Sequence, residues 1–267
     1  MINRIELKNR AKNVLRGNYW ICLAVSAIVG VINQIVPQLT FRLNLFKESI
    51  SLIEFIYSPE KVAMLSTGVA VLVLCMLLLN IAIGIFFFSP LNAGKNRFYI
   101  KAASGEGDIK SILDVFRSES YINVVKTLFM RDLRLILWSL CYIIPIAVFG
   151  ALTVAREEFS YLMPLCLFGM IPMIMKHYSY YMTDYIIAEN PGTNWRECIK
   201  TSEMMMKNVR FQTFVLELSF VGWMLLGIIC CGIGVLFVTP YIEATVTQLY
   251  LDRKRAVNAY DFCYEEQ

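Results

Sequence analysis

Residues 211–251 read FQTFVLELSFVGWMLLGIICCGIGVLFVTPYIEATVTQLYL, 41 residues with only Glu217 and Glu243 charged. At about 1.5 Å per residue in a helix this tract is twice the roughly 20 residues needed to cross about 30 Å of hydrocarbon. It is therefore one long tilted helix or a hairpin. The central Cys230-Cys231-Gly232-Ile233-Gly234 favours a hairpin, because glycines allow a helix to end and the chain to reverse.

Four further uncharged tracts accompany it: Gly17 to Phe41, Val62 to Gly94, Leu135 to Ala155 and Phe159 to Met175. With 57% hydrophobic and 17% charged residues over 267 positions, the chain carries more apolar surface than a soluble domain of its length can hide. These tracts predict an all-α, polytopic transmembrane helix bundle forming one integral membrane domain over 1–267, with spans at about 19–37, 64–89, 135–155, 159–182, 211–229 and 233–251.

Basic residues orient it. Twenty of the 25 Lys and Arg fall in the amino-terminal segment, the connections before the third and fifth spans, and the tail, whereas the alternate connections hold only Arg42, Lys47, Lys61 and Arg156. Cytoplasmic loops collect such charge, so both termini are predicted to be cytoplasmic. A five-span chain would place Arg253-Lys254-Arg255 outside, against that rule. The first span has a basic leader like a secretory signal, but no small-x-small cleavage site stands between the end of its apolar run and Thr40, and it reads as retained. A net charge of +4 fits basic loops beside anionic lipid and does not suggest nucleic acid.

Each pair of spans is preceded by a candidate amphipathic helix. Arg4, Lys8, Lys12 and Arg16 recur every fourth residue on one side, with Leu7, Ala11, Val14 and Leu15 on another. This predicts an interfacial helix whose basic stripe touches lipid phosphates and whose apolar stripe enters the acyl boundary; a protein partner is the alternative. After the turn Ser104-Gly105-Glu106-Gly107, Asp108 is a candidate cap for a helix with Ile109, Ile112, Leu113 and Phe116 on one face. After Asn190-Pro191-Gly192, Thr193 is a candidate cap before Trp195, Cys198, Ile199, Ser202 and Met206. The junctions Leu15-Arg16-Gly17-Asn18-Tyr19, Phe116-Arg117-Ser118 with Tyr121, and Met206-Lys207-Asn208 with Phe211 share a pattern of apolar residue, base, turn former and aromatic. They suggest a degenerate threefold repeat of amphipathic helix plus hairpin, although any inner helix entering a membrane wants a base and an aromatic anchor. Residues Phe46, Ile50, Ile53, Ile56 and Tyr57 predict a short helix on the outer interface.

Ionisable groups in spans are costly and are the first places to seek function. Glu217 stands near the inner end of the fifth span, and Lys176 and His177 near that of the fourth, at similar depth, with Asp184 a little beyond. Two arrangements follow. Lys176 snorkels to the headgroups while Glu217 is satisfied locally, or the two pair across a polar pathway lined also by Tyr178, Tyr181 and Asp184. The lone His177 lacks any accompanying GxSxG, HExxH or P-loop pattern, so enzyme activity and a cofactor are not expected. Eight cysteines without CxxC spacing read as small apolar fillers rather than metal ligands. Pro145, Pro164 and Pro172 can kink their spans, and Asn80 can hydrogen-bond between helices.

The stretch Ser202 through Met206-Lys207-Asn208, the runs LSFVGW (218–223) and GIGVLFVTPY (232–241), and Thr245 through Tyr250 resemble the domain of unknown function 975 family of bacterial integral membrane proteins. Leu7-Lys8, Ala11-Lys12 and Arg16-Gly17-Asn18-Tyr19-Trp20 resemble its start. Departures are Asn208 where a Gly-Asn pair is usual, and Glu217 ahead of LSFVGW. The resemblance implies a multi-span protein of the bacterial inner membrane and supplies no activity. A non-catalytic scaffold or accessory factor is therefore expected, with a small-solute or peptide transporter or exporter as the alternative. Expected partners are anionic lipid at the inner face and a membrane protein or a second copy of the chain.

Overall fold

The computed structural model describes residues 3–55, 71, 74–155, 170–229 and 232–265, with side chains over 3–33, 71, 74–144, 147, 171–229 and 232–258. Every element among the described residues is helical: α1 Arg4–Phe55, α2 Leu74–Ala103, α3 Ser111–Arg117, α4 Tyr121–Ala155, α5 Met170–Ser179, α6 Thr183–Glu189, α7 Trp195–Met205, α8 Arg210–Ile229 and α9 Ile233–Glu265. Three of them are long and apolar enough to cross a membrane: α1 over Arg4–Asn33, α2 and α8.

The long helices share one division. In α2, Leu74, Leu77, Leu78, Leu79, Ile81, Phe86 and Phe87 are exposed, whereas Leu91, Ala93, Phe98, Tyr99, Ile100 and Ala102 are buried. In α4, Val124, Val125 and Leu128 are buried while Ile136, Leu137, Leu140, Ile143 and Ile144 are exposed. Helix α8 buries Thr213, Leu216 and Phe220 but exposes Trp223 through Leu226, and α9 exposes Ile233, Leu236 and Phe237 but buries Ala244 through Leu249 and Tyr250. One end of each helix is thus packed by neighbours and the other presents apolar side chains outward. Exposed apolar surface on that scale is the arrangement that lipid, not water, stabilises.

The long terminal tract is two helices. Gly232 takes a positive φ of 78°, which reverses the chain before α9. The hairpin closes on glycine: a Cβ on Gly227 would stand 2.7 Å from Val235 N, and one on Gly234 2.6 Å from Gly227 Cα. Phe220 and Tyr241 meet edge to face at 5.4 Å further along it. The turn residues Cys230 and Cys231 lie outside the described residues.

The three sequence junctions coincide with helix breaks. Asn18 leaves the helical region inside α1 (φ −133°, ψ 23°), Ser118 is extended after α3, and Asn208 has φ 68° between α7 and α8. Helix α2 carries a π-helical turn, Gly84–Phe88, just before its packed half, where Ser89 returns both its N–H and its hydroxyl to Gly84 O.

Several expectations are revised. The first inner helix does not rest its apolar stripe in the acyl boundary: Leu7, Ala11 and Leu15 are buried in the protein core, and α1 packs along α9. Helix α3 buries Ser111, Ile112 and Val115 but leaves Leu113 56% exposed, and Ile109 in the turn before it is 51% exposed. Close packing goes with that rotation: Ile112 O closes on Gly94, where any Cβ would collide, and on the outer side Asp114 reaches Lys101 at 3.3 Å. Asp108 caps the turn ahead of α3, accepting from Lys110 N at 3.1 Å, and α7 is capped by Asn194, not Thr193. On the predicted α7 stripe, Cys198, Ile199 and Ser202 are buried in the protein, as is Met206 just past the helix end, while Trp195 is only half-buried. Residues 46–55 are helical, but as a continuation of α1 rather than a separate element. Pro164 and the first part of the fourth predicted span, residues 159–169, fall outside the described residues.

Candidate functional site: a polar cavity among the packed helix ends

Where the packed halves converge, a cavity of about 360 Å³ is lined by Asn92, Lys95 and Asn96 of α2, Arg131 and Asp132 of α4, His177, Tyr180, Tyr181, Asp184 and Tyr185 around the α5–α6 turn, and Glu243 of α9. Helical periodicity explains the α2 contribution. Positions 92, 95 and 96 share a face, so three polar side chains follow directly on the apolar half and point the same way.

Two ion pairs stand across the cavity walls. Lys95 Nζ binds Glu243 Oε1, linking α2 to α9, with the side chains 15% and 19% exposed. Arg131 binds Asp184 Oδ1, linking α4 to α6, and holds Asp132 Oδ1 at 2.8 Å. Asn33 of α1 reaches the same region, donating to Asn92 Oδ1 at 3.2 Å. Beyond the cavity, Tyr250 of α9 donates to Glu189 Oε2 at 2.6 Å, Lys254 Nζ binds the same oxygen at 2.7 Å, and Tyr185 stacks on Tyr250 at 5.4 Å. Tyr185 is buried, and this burial pushes its hydroxyl pKa well above the phenolic range, so it stays neutral.

Glu217 is satisfied locally. Tyr178 donates to its Oε2 at 2.5 Å and Tyr181 to its Oε1. Tyr181 also lines the polar cavity, while Glu217 and Tyr178 line an adjoining space of about 460 Å³ with Phe214, Phe220 and Thr239. Lys176 turns the other way, its ammonium 4.3 Å over the Trp138 ring. The arrangement with Lys176 paired to Glu217 is therefore not the one adopted. His177 packs edge to face on Tyr178 at 5.6 Å and borders the cavity.

The basic stripe divides. Arg4, Lys12 and Arg16 are exposed, but Lys8 lies against α8, donating to Ser219 Oγ at 2.7 Å with its ammonium 4.5 Å over Phe220. Cys22 and Cys198 are buried, Cys75 and Cys141 exposed. Burial raises the Cys198 thiol to about 11. Among the described residues no three His, Cys, Asp or Glu side chains gather so as to hold a metal ion.

Sequence reading placed Asp184, His177 and Glu217 near one another but missed Lys95, Arg131 and the amides. Glu243 was visible as one of two charges in the terminal tract. The 92, 95, 96 spacing was the signal that could have supplied its partner. No curated protein and no solved structure matches the chain. The family described as Protein of unknown function (DUF975) matches residues 1–256, the middle of the chain as well as the stretches that carry the resemblance. A match over nearly the whole length, on a helical chain with apolar helices of spanning length, means that the protein belongs to the DUF975 family.

Proposed function

We propose that this is a six-span protein of the bacterial inner membrane, both termini cytoplasmic, that serves as a non-catalytic scaffold or accessory factor. In this reading the packed helix ends form the cytoplasmic side, where basic residues concentrate, and the exposed apolar ends face lipid. The amphipathic helices α3 and α7 and the start of α1 make a platform there. The observation that carries the reading is the state of the charges: Glu243, Asp184 and Glu217 are each engaged by a base or by tyrosine hydroxyls from another helix. Such contacts tie α2 to α9, α4 to α6 and α5 to α8, as a scaffold requires. Partners in this reading are anionic lipid and a membrane protein or a second copy of the chain.

The test is affinity purification from native nanodiscs with mass spectrometry of what is retained. A stoichiometric protein or self-association lost on neutralising the exposed Arg4, Lys12 and Arg16 together is expected. Retention of neither, in wild type, would overturn the reading.

The polar cavity favours a second reading, a small-solute or peptide transporter. Its 360 Å³ and two ion pairs suit a solute with both charges, which would compete for Lys95 and Glu243. Solute flux in proteoliposomes, abolished by Glu217→Gln or Glu243→Gln, would establish transport over scaffolding.

A further inference from the structure

The apolar stripe that sequence periodicity traced along α3 and the turn before it borders a space that the described side chains leave open. Ile109, Leu113 and Phe116 look across it toward Ala24, Ile28 and Ile32 of α1, with Phe87 of α2 closing one wall, around a volume of about 410 Å³. Every wall is hydrocarbon. Along α1 the groove extends from Ala24 to Ile32, about 12 Å.

Packed protein interiors hold few voids larger than a water molecule, and apolar cavities of about 150 Å³ already take up benzene. A dry groove this large between two helices of spanning length has an obvious source of filling in lipid chains. One base marks which lipid. Lys110 lines the margin of the groove, is exposed, and makes no ion pair among the described residues. Of the nearby acids, Asp114 is committed to Lys101 at 3.3 Å and Arg97 at 4.0 Å, and Asp108 takes the backbone N–H of Lys110 at 3.1 Å, not its ammonium.

We infer that the groove between α1, α2 and α3 is a binding site for one acyl chain of an anionic phospholipid, with Lys110 receiving the headgroup phosphate. The chain covers Ile109 and Leu113, which accounts for their exposure in the protein alone. The base sets the preference through charge, and the hydrocarbon sets the affinity at a gain per methylene that accumulates along the chain. The inference rests on two parts of the proposed function, the reading of α1 and α2 as spans and anionic lipid as a partner, and gives that lipid a defined site.

The test uses full-length protein in nanodiscs of equal phosphatidylglycerol and phosphatidylcholine, extracted in mild detergent and analysed by native mass spectrometry. Wild type should retain one lipid, with phosphatidylglycerol favoured by about fivefold, the factor expected for one base near an anionic headgroup. Lys110→Glu, a surface change that leaves packing intact, should erase the preference. Ile28→Trp, which fills the groove, should remove the retained lipid. Retention at the bulk ratio by wild type, or an unchanged preference in Lys110→Glu, would overturn the site, as would a detergent or peptide held there in place of lipid. Should Ile28→Trp fail to fold, Lys110→Glu decides alone. A wild type that keeps a protein partner but no lipid refutes this site and leaves the scaffold standing.

Discussion

Tyr178 at the end of α5 donates its hydroxyl hydrogen to Glu217 Oε2 on α8 at 2.5 Å, so the carboxylate in the penultimate helix is held by a phenol and not by a neighbouring cation. Tyr181 donates to the other oxygen. A hydrogen bond to a charged group contributes about 1.5–3 kcal/mol. Tyr178→Phe should therefore lower unfolding stability in detergent by about 1.5 kcal/mol, and the double change with Tyr181→Phe by more than the single. Lys176→Met should show almost no coupling to Glu217→Gln in a double-mutant cycle, under about 0.5 kcal/mol. A larger coupling would mean that Lys176 and Glu217 interact after all.

Lys95 and Glu243 carry the link between α2 and α9. Removing one member of a mostly buried pair strands the other, at about 3 kcal/mol, whereas replacing both with apolar residues of similar size is often near neutral. Lys95→Met should lower the melting temperature clearly, and Lys95→Met with Glu243→Met should recover most of the loss. If the double variant is as unstable as the sum of the singles, the two side chains act separately.

The ease with which the fold was read, and the difficulty of the site, have different physical origins. Tracts such as 74–88 and 221–229 must be helical in lipid because each backbone group needs an internal partner, and that constraint is written locally. The helix breaks at Asn18, Ser118 and Asn208 were similarly local, signalled by turn-forming residues. What an apolar stripe does not state is its partner. Leu7, Ala11 and Leu15 would look the same facing acyl chains as they do in the core, and the rotation of α3 follows the close approach of Ile112 O to Gly94, which no periodicity weighs. The Lys95 to Glu243 contact joins positions 148 apart. A single sequence holds no record of that proximity. Glu217 was singled out because charge in a span is costly, but the phenols that hold it read as an aromatic belt.

Cys198 is fully buried on α7, and burial pushes its thiol to about 11 from an ordinary 9.0. Between those values the unfolded chain has released a proton that the folded chain retains, so the contribution to stability is present below about pH 9 and is lost as pH rises through about 11. The fall should be about 1–3 kcal/mol, seen as the difference between the parent and Cys198→Ala across pH 8 to 11. Thiol labelling at pH 8 should modify Cys198 only on the timescale of unfolding. Rapid labelling of the folded protein would place it at an accessible surface.

The glycine contact at Gly227 and Gly234 sets how closely α8 and α9 approach, and therefore where Glu217 and Glu243 stand relative to the polar cavity. Each lacks room for a single methyl group, since the nearest atoms are backbone and cannot rotate away. Gly227→Ala should cost about 1–3 kcal/mol, as overpacking usually does, and Gly227→Leu should be worse. Gly222→Ala, on the same helix but with nothing within 4 Å of its would-be Cβ, is the control and should be neutral or slightly stabilising. Thermal denaturation of the three variants in one detergent checks the order. A Gly227→Ala protein as stable as its Gly222→Ala counterpart would show that the two helices are free to part at this end, and that the ion pairs alone fix the cavity.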